Sequence, residues 1–204
     1  MKENVLINSR SKTFSSYEQL INTPLHDLAA LNIITRDKSL VENDFFLQFA
    51  EQDIKLSCLV KTKSLIQDID NQLKQTLPNR ALEHNFYPFW LNDIAEAIDF
   101  FATFTKKDSI ILWLTSKRVC QNFHVDKTKW RLLKTYYGEG TEWTPETIFE
   151  IKNKDEIKPN KVKSWQTCLM QGGNNGIVHR SPTIESAWTL LMRLDLPEFN
   201  SNCR

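Results

Sequence analysis

Phe123-His124-Val125-Asp126 is the segment whose residue types and spacing could do chemistry. In an extended chain, residues two apart project to the same side, so His124 and Asp126 would point together. A neutral imidazole and a carboxylate are donors suited to Fe(II), Mn(II) or Zn(II). With 4 histidines and 25 acidic residues in 204, chance supplies on the order of 0.5 such spacings, so the pair gains weight only from a third ligand. His179 offers one, 179 − 126 = 53 residues later, just after Gly172, Gly173 and Gly176, three of only 5 glycines. Glycine concentrated there predicts a tight turn or a close approach of backbones before His179. Two histidines and a carboxylate would hold a divalent metal from one side and leave coordination positions open. The alternative is a hydrogen-bonded His124–Asp126 pair with His179 as an ordinary core or surface residue. His26 and His84 are read in that ordinary way.

A β-rich second half must position these side chains. Ile110 to Leu114 is a continuous apolar run, the mark of a strand covered on both faces. Trp130 to Tyr137, Ser164 to Gln171, Gly176 to Arg180 and Trp188 to Asp195 read as further strands, with Arg131, Leu133, Thr135 and Tyr137 on one side of the first. Short strands separated by turns point to an antiparallel barrel or sandwich. The lysine-rich stretch from Lys152 to Lys163 reads as a solvated loop. The first half reads as mainly helical. Ser15 and Glu18 have capping-box spacing, and Thr23-Pro24 resembles the start of a helix with Leu25, Leu28 and Leu31 on one face. Ile66, Ile69, Leu73 and Leu77 form a third helical stripe that Pro78 stops, and Ile54 to Val60 reads as a strand before it. After the aromatic hinge Phe86 to Trp90, Asn92 or Asp93 caps a helix whose buried stripe is Ile94, Ala97, Ile98, Phe101 and Ala102, and Asp108 and Ser109 end it. The expected fold class is α+β, a mainly helical region over 1–85 packed on a β core over 86–204.

Hydrophobic content of 41% and charged content of 25% describe an ordinary globular chain, and a formal net charge of +1 gives no strong signal for nucleic acid. No apolar stretch suits an export signal or a bilayer span. Cys58, Cys120, Cys168 and Cys203 are scattered, which fits reduced thiols and a cytoplasmic setting. Phosphate-loop, nucleophile-elbow and dinucleotide-turn motifs are missing.

The segments Val119 to Asp126, Arg131 to Tyr136, Gly138-Glu139-Gly140-Thr141-Glu142-Trp143 and Val178-His179-Arg180-Ser181-Pro182 resemble a bacterial family, domain of unknown function 1826 (DUF1826), over Phe86 to Leu196. That resemblance brings no activity but implies that the two histidine segments belong together. More distantly the chain is similar to the Fe(II)/2-oxoglutarate oxygenase and cupin superfamilies. This implies an antiparallel double-stranded β-helix (jelly-roll) core, with the His-x-Asp pair on an early core strand and the distal histidine on a late one. It implies Fe(II) held by His124, Asp126 and His179, with 2-oxoglutarate as co-substrate. In such oxygenases a basic residue on the last core strand grips the far carboxylate, which a guanidinium matches bidentately. Arg193 is available, although an arginine nearer Thr189 would fit the usual spacing better, and Arg180 and Arg131 are substitutes. Arg131, Arg180 and Arg193 are therefore the candidate catalytic side chains, and Arg193, Arg180 and Tyr136 the candidates for contact with the co-substrate. Tyr137, Trp143 and Trp188 are further candidates for the cavity wall. Other readings stay open: a non-catalytic zinc-binding or cupin-like metal-handling protein with Cys120 as a fourth ligand, a zinc hydrolase with Glu142 as base, and a metal-free scaffold. The substrate, a small molecule or a peptide, and the oligomeric state are not legible.

Overall fold

A computed structural model describes residues 10–35, 43–50, 52–117, 120–151, 153, 156–182 and 188–199. The chain begins with β1 (Ser11–Phe14), α1 (Tyr17–Ile21), β2 (Leu31–Ile34), α2 (Asn43–Leu47), β3 (Lys55–Lys61), α3 (Leu65–Thr76) and α4 (Asn79–Leu82). It continues through α5 (Tyr87–Thr105), β4 (Ser109–Thr115), β5 (Trp130–Tyr137), β6 (Glu142–Thr144), β7 (Asn160–Lys161), β8 (Thr167–Gln171), β9 (Val178–Arg180) and β10 (Leu190–Asp195). The strands form two sheets, ordered β1-β2-β8-β5-β10-β4-β3 and β7-β6-β9. Every pairing is antiparallel except that of β1 with β2.

Alternation along the strands decides which side chains meet the helices and which meet the second sheet. Leu132 and Tyr136 of β5, Met192 and Leu194 of β10, and Leu112 and Leu114 of β4 share one core with Trp90, Ile94, Ile98 and Phe101 of α5. On the opposite face, Leu133, Cys168 and Met170 of the large sheet bury against Trp143, Val162 and Ile177. The result is three layers: helices, the seven-stranded sheet, the three-stranded sheet. Among the described residues no helix is long and apolar enough to cross a membrane.

The described part of residues 10–85 is not built of helices alone. They supply three strands, β1 and β2 on one edge of the large sheet and β3 on the other, beside helices of 5, 5, 12 and 4 residues. The helix expected after Pro24 is a single 3-10 turn over Leu25–Asp27. Leu25 is 67% exposed, so no buried stripe exists to hold a longer helix, and Leu31 to Ile34 join the sheet instead. The cap of α1 is Ser16 rather than Ser15, its hydroxyl accepting the Gln19 amide at 3.1 Å. Helix α5 begins at Tyr87, with Pro88 in its first turn where a missing amide costs nothing. Asp93, expected as its cap, lies inside it and is buried, taking Lys134 Nζ at 2.8 and 2.7 Å and the Tyr136 hydroxyl at 2.8 Å.

Candidate metal centre

His124 and His179 hang from one rung of backbone. The His124 amide donates to the His179 carbonyl at 3.0 Å, and the His179 amide donates back at 2.9 Å. Residues that exchange both bonds in an antiparallel pair project their side chains to the same face, and here the two rings stand with centroids 4.5 Å apart. Each Nδ1 is turned onto a carbonyl two residues back, His124 onto Asn122 at 2.9 Å and His179 onto Ile177 at 3.1 Å. A carbonyl only accepts, so each Nδ1 carries a proton, and in the neutral ring Nε2 keeps its lone pair. Asp126 comes beneath both, with its Oδ1 3.8 Å from His124 Nε2 and its Oδ2 3.5 Å from His179 Nε2. All three ligand atoms lie within 4.8 Å of one another.

A glycine turn fixes the approach of Asp126. The Gly173 amide donates to the Asp126 carbonyl at 2.7 Å, and the Gly172 amide to that of Lys129 at 3.1 Å. A Cβ on Gly172 would run into the carbonyl oxygens of Asp126 and Thr128. Gly173, with φ of +74°, makes the left-handed turn. Arg10, just before β1, donates to the carbonyl oxygens of Asn175 at 3.1 Å and Gly176 at 2.6 Å and clasps the turn from outside.

Electrostatics point the same way. Burial pushes the His179 imidazole down to about 4, and the nearby His124 and Arg131 add to this while Asp126 opposes it. His179 is therefore neutral at ordinary pH. Asp126 Oδ2 is buried with no hydrogen-bond partner, a costly state for a carboxylate oxygen. Its Oδ1, by contrast, accepts from Arg131 Nη1. An Asp126 oxygen and the two Nε2 atoms thus converge, with no proton on the His179 nitrogen. A divalent cation placed there would satisfy all three, with both imidazoles already held in the ligating tautomer from behind.

The centre opens on a cavity of about 530 Å3 between the sheets. Arg131, Arg180 and Arg193 all line it, with Trp113, Leu133 and Leu191 as apolar wall. Arg193 stacks its guanidinium 4.5 Å over Trp113 and lies with Nε 2.8 Å from Asp195 Oδ2. Arg131 donates from Nε to Asp195 Oδ1 at 2.7 Å. Arg180 donates to Glu142 at 2.8 Å and stacks 4.2 Å over Phe123.

Several expected wall residues are elsewhere. Tyr136 is an odd number of positions from Arg131, so it projects to the helix side, where it is 1% exposed and bonded to Asp93. Tyr137 and Trp188 pack against that same helix-side core, and Trp143 lies in the core between the sheets. Cys120 does line the cavity, without joining the group of three. Glu142 is buried and committed to Arg180. Trp113 and Asp195 are the residues that sequence reasoning passed over. The Arg193-x-Asp195 spacing on the last strand is the signal that could have found the second, since it sets a carboxylate beside a cavity arginine.

Residues 20–195 match the family described as a protein of unknown function (DUF1826). No curated protein matches the chain. Among solved structures it is similar to an oxidoreductase of the 2OG-Fe(II) oxygenase family from Burkholderia pseudomallei, at 10% identity and a TM-score of 0.30, over 53% of this chain and 54% of that one. The chain thus spans about half the length of that protein. It is also similar to a bsmA homologue from Methylobium petroleophilum, at 10% identity and a TM-score of 0.39 over 82% of this chain and 89% of the other. A full-length protein from Neurospora crassa, solved in complex with alpha-KG, is similar at 10% identity and a TM-score of 0.38, over 95% of this chain and 85% of that one.

Proposed function

This chain belongs to the DUF1826 family, and we propose that it is a non-haem Fe(II)/2-oxoglutarate-type oxygenase with His124, Asp126 and His179 as its metal ligands. The observation that carries the reading is Asp126 Oδ2, buried, without a hydrogen-bond partner, and facing a histidine nitrogen that holds no proton. The strand order supports it. The chain passes from β4 to the His124 rung, then to β5, crosses to the small sheet for β6 and β7, and returns through β8, β9 and β10, which lie in the large, small and large sheet in turn. That path is the one expected of a double-stranded β-helix, and it brings an early segment and a late strand side by side at the histidines.

Bound there, Fe(II) would supply activation of O2 beside 2-oxoglutarate. The rest falls to the protein. Arg131 holds one oxygen of Asp126 so that the other faces the His179 imidazole. Arg193, steadied on Trp113, offers its terminal nitrogens to the far carboxylate of the co-substrate. Leu133 and Leu191 give the cavity a dry wall. Its volume of about 530 Å3 lies within the range of small-molecule sites and leaves room for part of a small molecule or peptide substrate. A non-catalytic zinc-handling protein is the second reading, favoured by Cys120 on the cavity wall. A hydrolase with Glu142 as base is disfavoured by its ion pair with Arg180.

The deciding experiment measures metal in protein purified without chelators, beside a His124→Ala, His179→Ala variant, and then adds 2-oxoglutarate to the anaerobic Fe(II) form. Metal in the wild type alone, with a new visible charge-transfer band on adding 2-oxoglutarate, is expected. Zinc that Cys120→Ser weakens, with no band after iron loading, would favour the second reading. A wild type that binds neither Fe(II) nor Zn(II) would overturn both.

A further inference from the structure

We infer that Asp195 is a positioning residue that couples the cavity arginine Arg193 to the metal-holding carboxylate Asp126, an inference that rests on the metal reading above. Asp195 is 1% exposed and ends β10, one rung beyond the Leu194–Leu132 pair. That position sets it beside Arg131 on the cavity face. Its two oxygens are divided between two guanidiniums. Oδ1 accepts from Arg131 Nε at 2.7 Å, and Oδ2 lies 2.8 Å from Arg193 Nε. Arg131 extends the row, donating from Nη1 to Asp126 Oδ1. Arg193, Asp195, Arg131 and Asp126 therefore form a line of alternating charge, running from the cavity wall to the metal centre.

Sharing is what makes the line a coupling device. In a poorly solvated setting a carboxylate draws strongly on every cation near it. While Arg193 occupies one oxygen of Asp195, Arg131 is left with the other and keeps a nitrogen for Asp126. With Arg193 gone, or drawn away by a ligand carboxylate, both oxygens of Asp195 become available to Arg131. Its planar fork then favours a bidentate pair with Asp195, and Asp126 loses the contact that orients it. By the reciprocity of binding linkage, occupancy at Arg193 and occupancy at the metal then influence each other.

The test uses Mn(II) as the probe, titrated into the full chain without co-substrate, for wild type, Asp195→Asn, Arg193→Gln and the double variant. Loss of such an outer partner weakens metal binding about tenfold or more. Arg193→Gln is expected to show that loss, although Arg193 touches none of the three ligands, whereas Asp195→Asn, which leaves Arg131 no second carboxylate to turn to, is expected to stay within about twofold of wild type. The double variant is expected to be no worse than Asp195→Asn alone, because both changes act through Arg131. A wild type that binds Mn(II) beside an Arg193→Gln protein within about twofold of it would overturn the coupling and leave the metal site standing. Losses that simply add would overturn it equally. If Asp195→Asn does not fold, Arg193→Gln decides alone, since it leaves Asp195 still paired with Arg131. A wild type with no Mn(II) affinity would overturn the metal reading and the coupling together.

Discussion

His179 is the residue on which site and stability meet. Its imidazole is held neutral in the folded chain by burial, with a pKa of about 4 against an ordinary 6.5. A group whose folded pKa is depressed binds more protons when unfolded, so acid favours unfolding. The stability is present above about pH 6.5, lost as pH falls towards 4, and not lost further below that. Metal-free protein should therefore lose about 2 kcal/mol between pH 7 and pH 5 through this residue. Urea unfolding at the two pH values, set against His179→Gln, measures it: the difference should shrink by that amount in the variant. The convergence of His124, Asp126 and His179 was legible from residue types, order and the glycine cluster. Asp195 was passed over: its spacing from Arg193 puts it on the same face of the last strand, but its pairing with Arg131 shows only once the neighbours across the sheet are known.

At the scale of elements, α5 and β5 are clamped by a buried ion pair. Lys134 is 2% exposed and bonded to both oxygens of Asp93, with its ammonium 5.3 Å from the Tyr136 ring. Breaking such a pair from one side leaves a buried charge uncompensated, at a cost of about 3–5 kcal/mol. Lys134→Met should lower stability by that much in chemical denaturation, while Lys134→Met with Asp93→Leu should recover most of it. Mn(II) affinity in the folded fraction should not change, because the clamp faces the helices and the metal centre faces the other way. A larger loss in the double variant than in the single would contradict the argument. The long strands were legible because alternation or continuous apolar runs mark them: β5 occupies the residues expected, and β3, β4 and β10 differ only at their ends. Of the strands of two or three residues only β9 was, inside the stretch expected over Gly176 to Arg180. β7 is two residues inside a lysine-rich stretch and β6 three residues after a glycine pair, too few for any period to register. β2 was mistaken for helix because Leu25, Leu28 and Leu31 happen to fall at helical spacing, and only the exposure of Leu25 reveals the coincidence.

For the whole molecule, the rung that joins the His124 segment to β9 lies at the candidate metal centre, so a ligand there should stabilise the folded β core. A ligand that binds only the folded state at about 100 times its dissociation constant adds about 2.7 kcal/mol. Mn(II) at that level should raise the unfolding free energy by this amount, read from denaturant midpoints, and His124→Ala should abolish the gain. An equal rise in the variant would place the stabilising ion elsewhere. The layered arrangement has one more consequence. On β4, β5 and β10 the residues that bind the helices, such as Leu112, Leu132 and Met192, are interleaved with those that line the chamber, such as Trp113, Leu133 and Leu191. The face packed on the helices and the face that lines the chamber are thus opposite sides of the same strands. A lineage could rewrite the chamber for a new guest, one odd position at a time, while the side that folds the chain stays unread by the change.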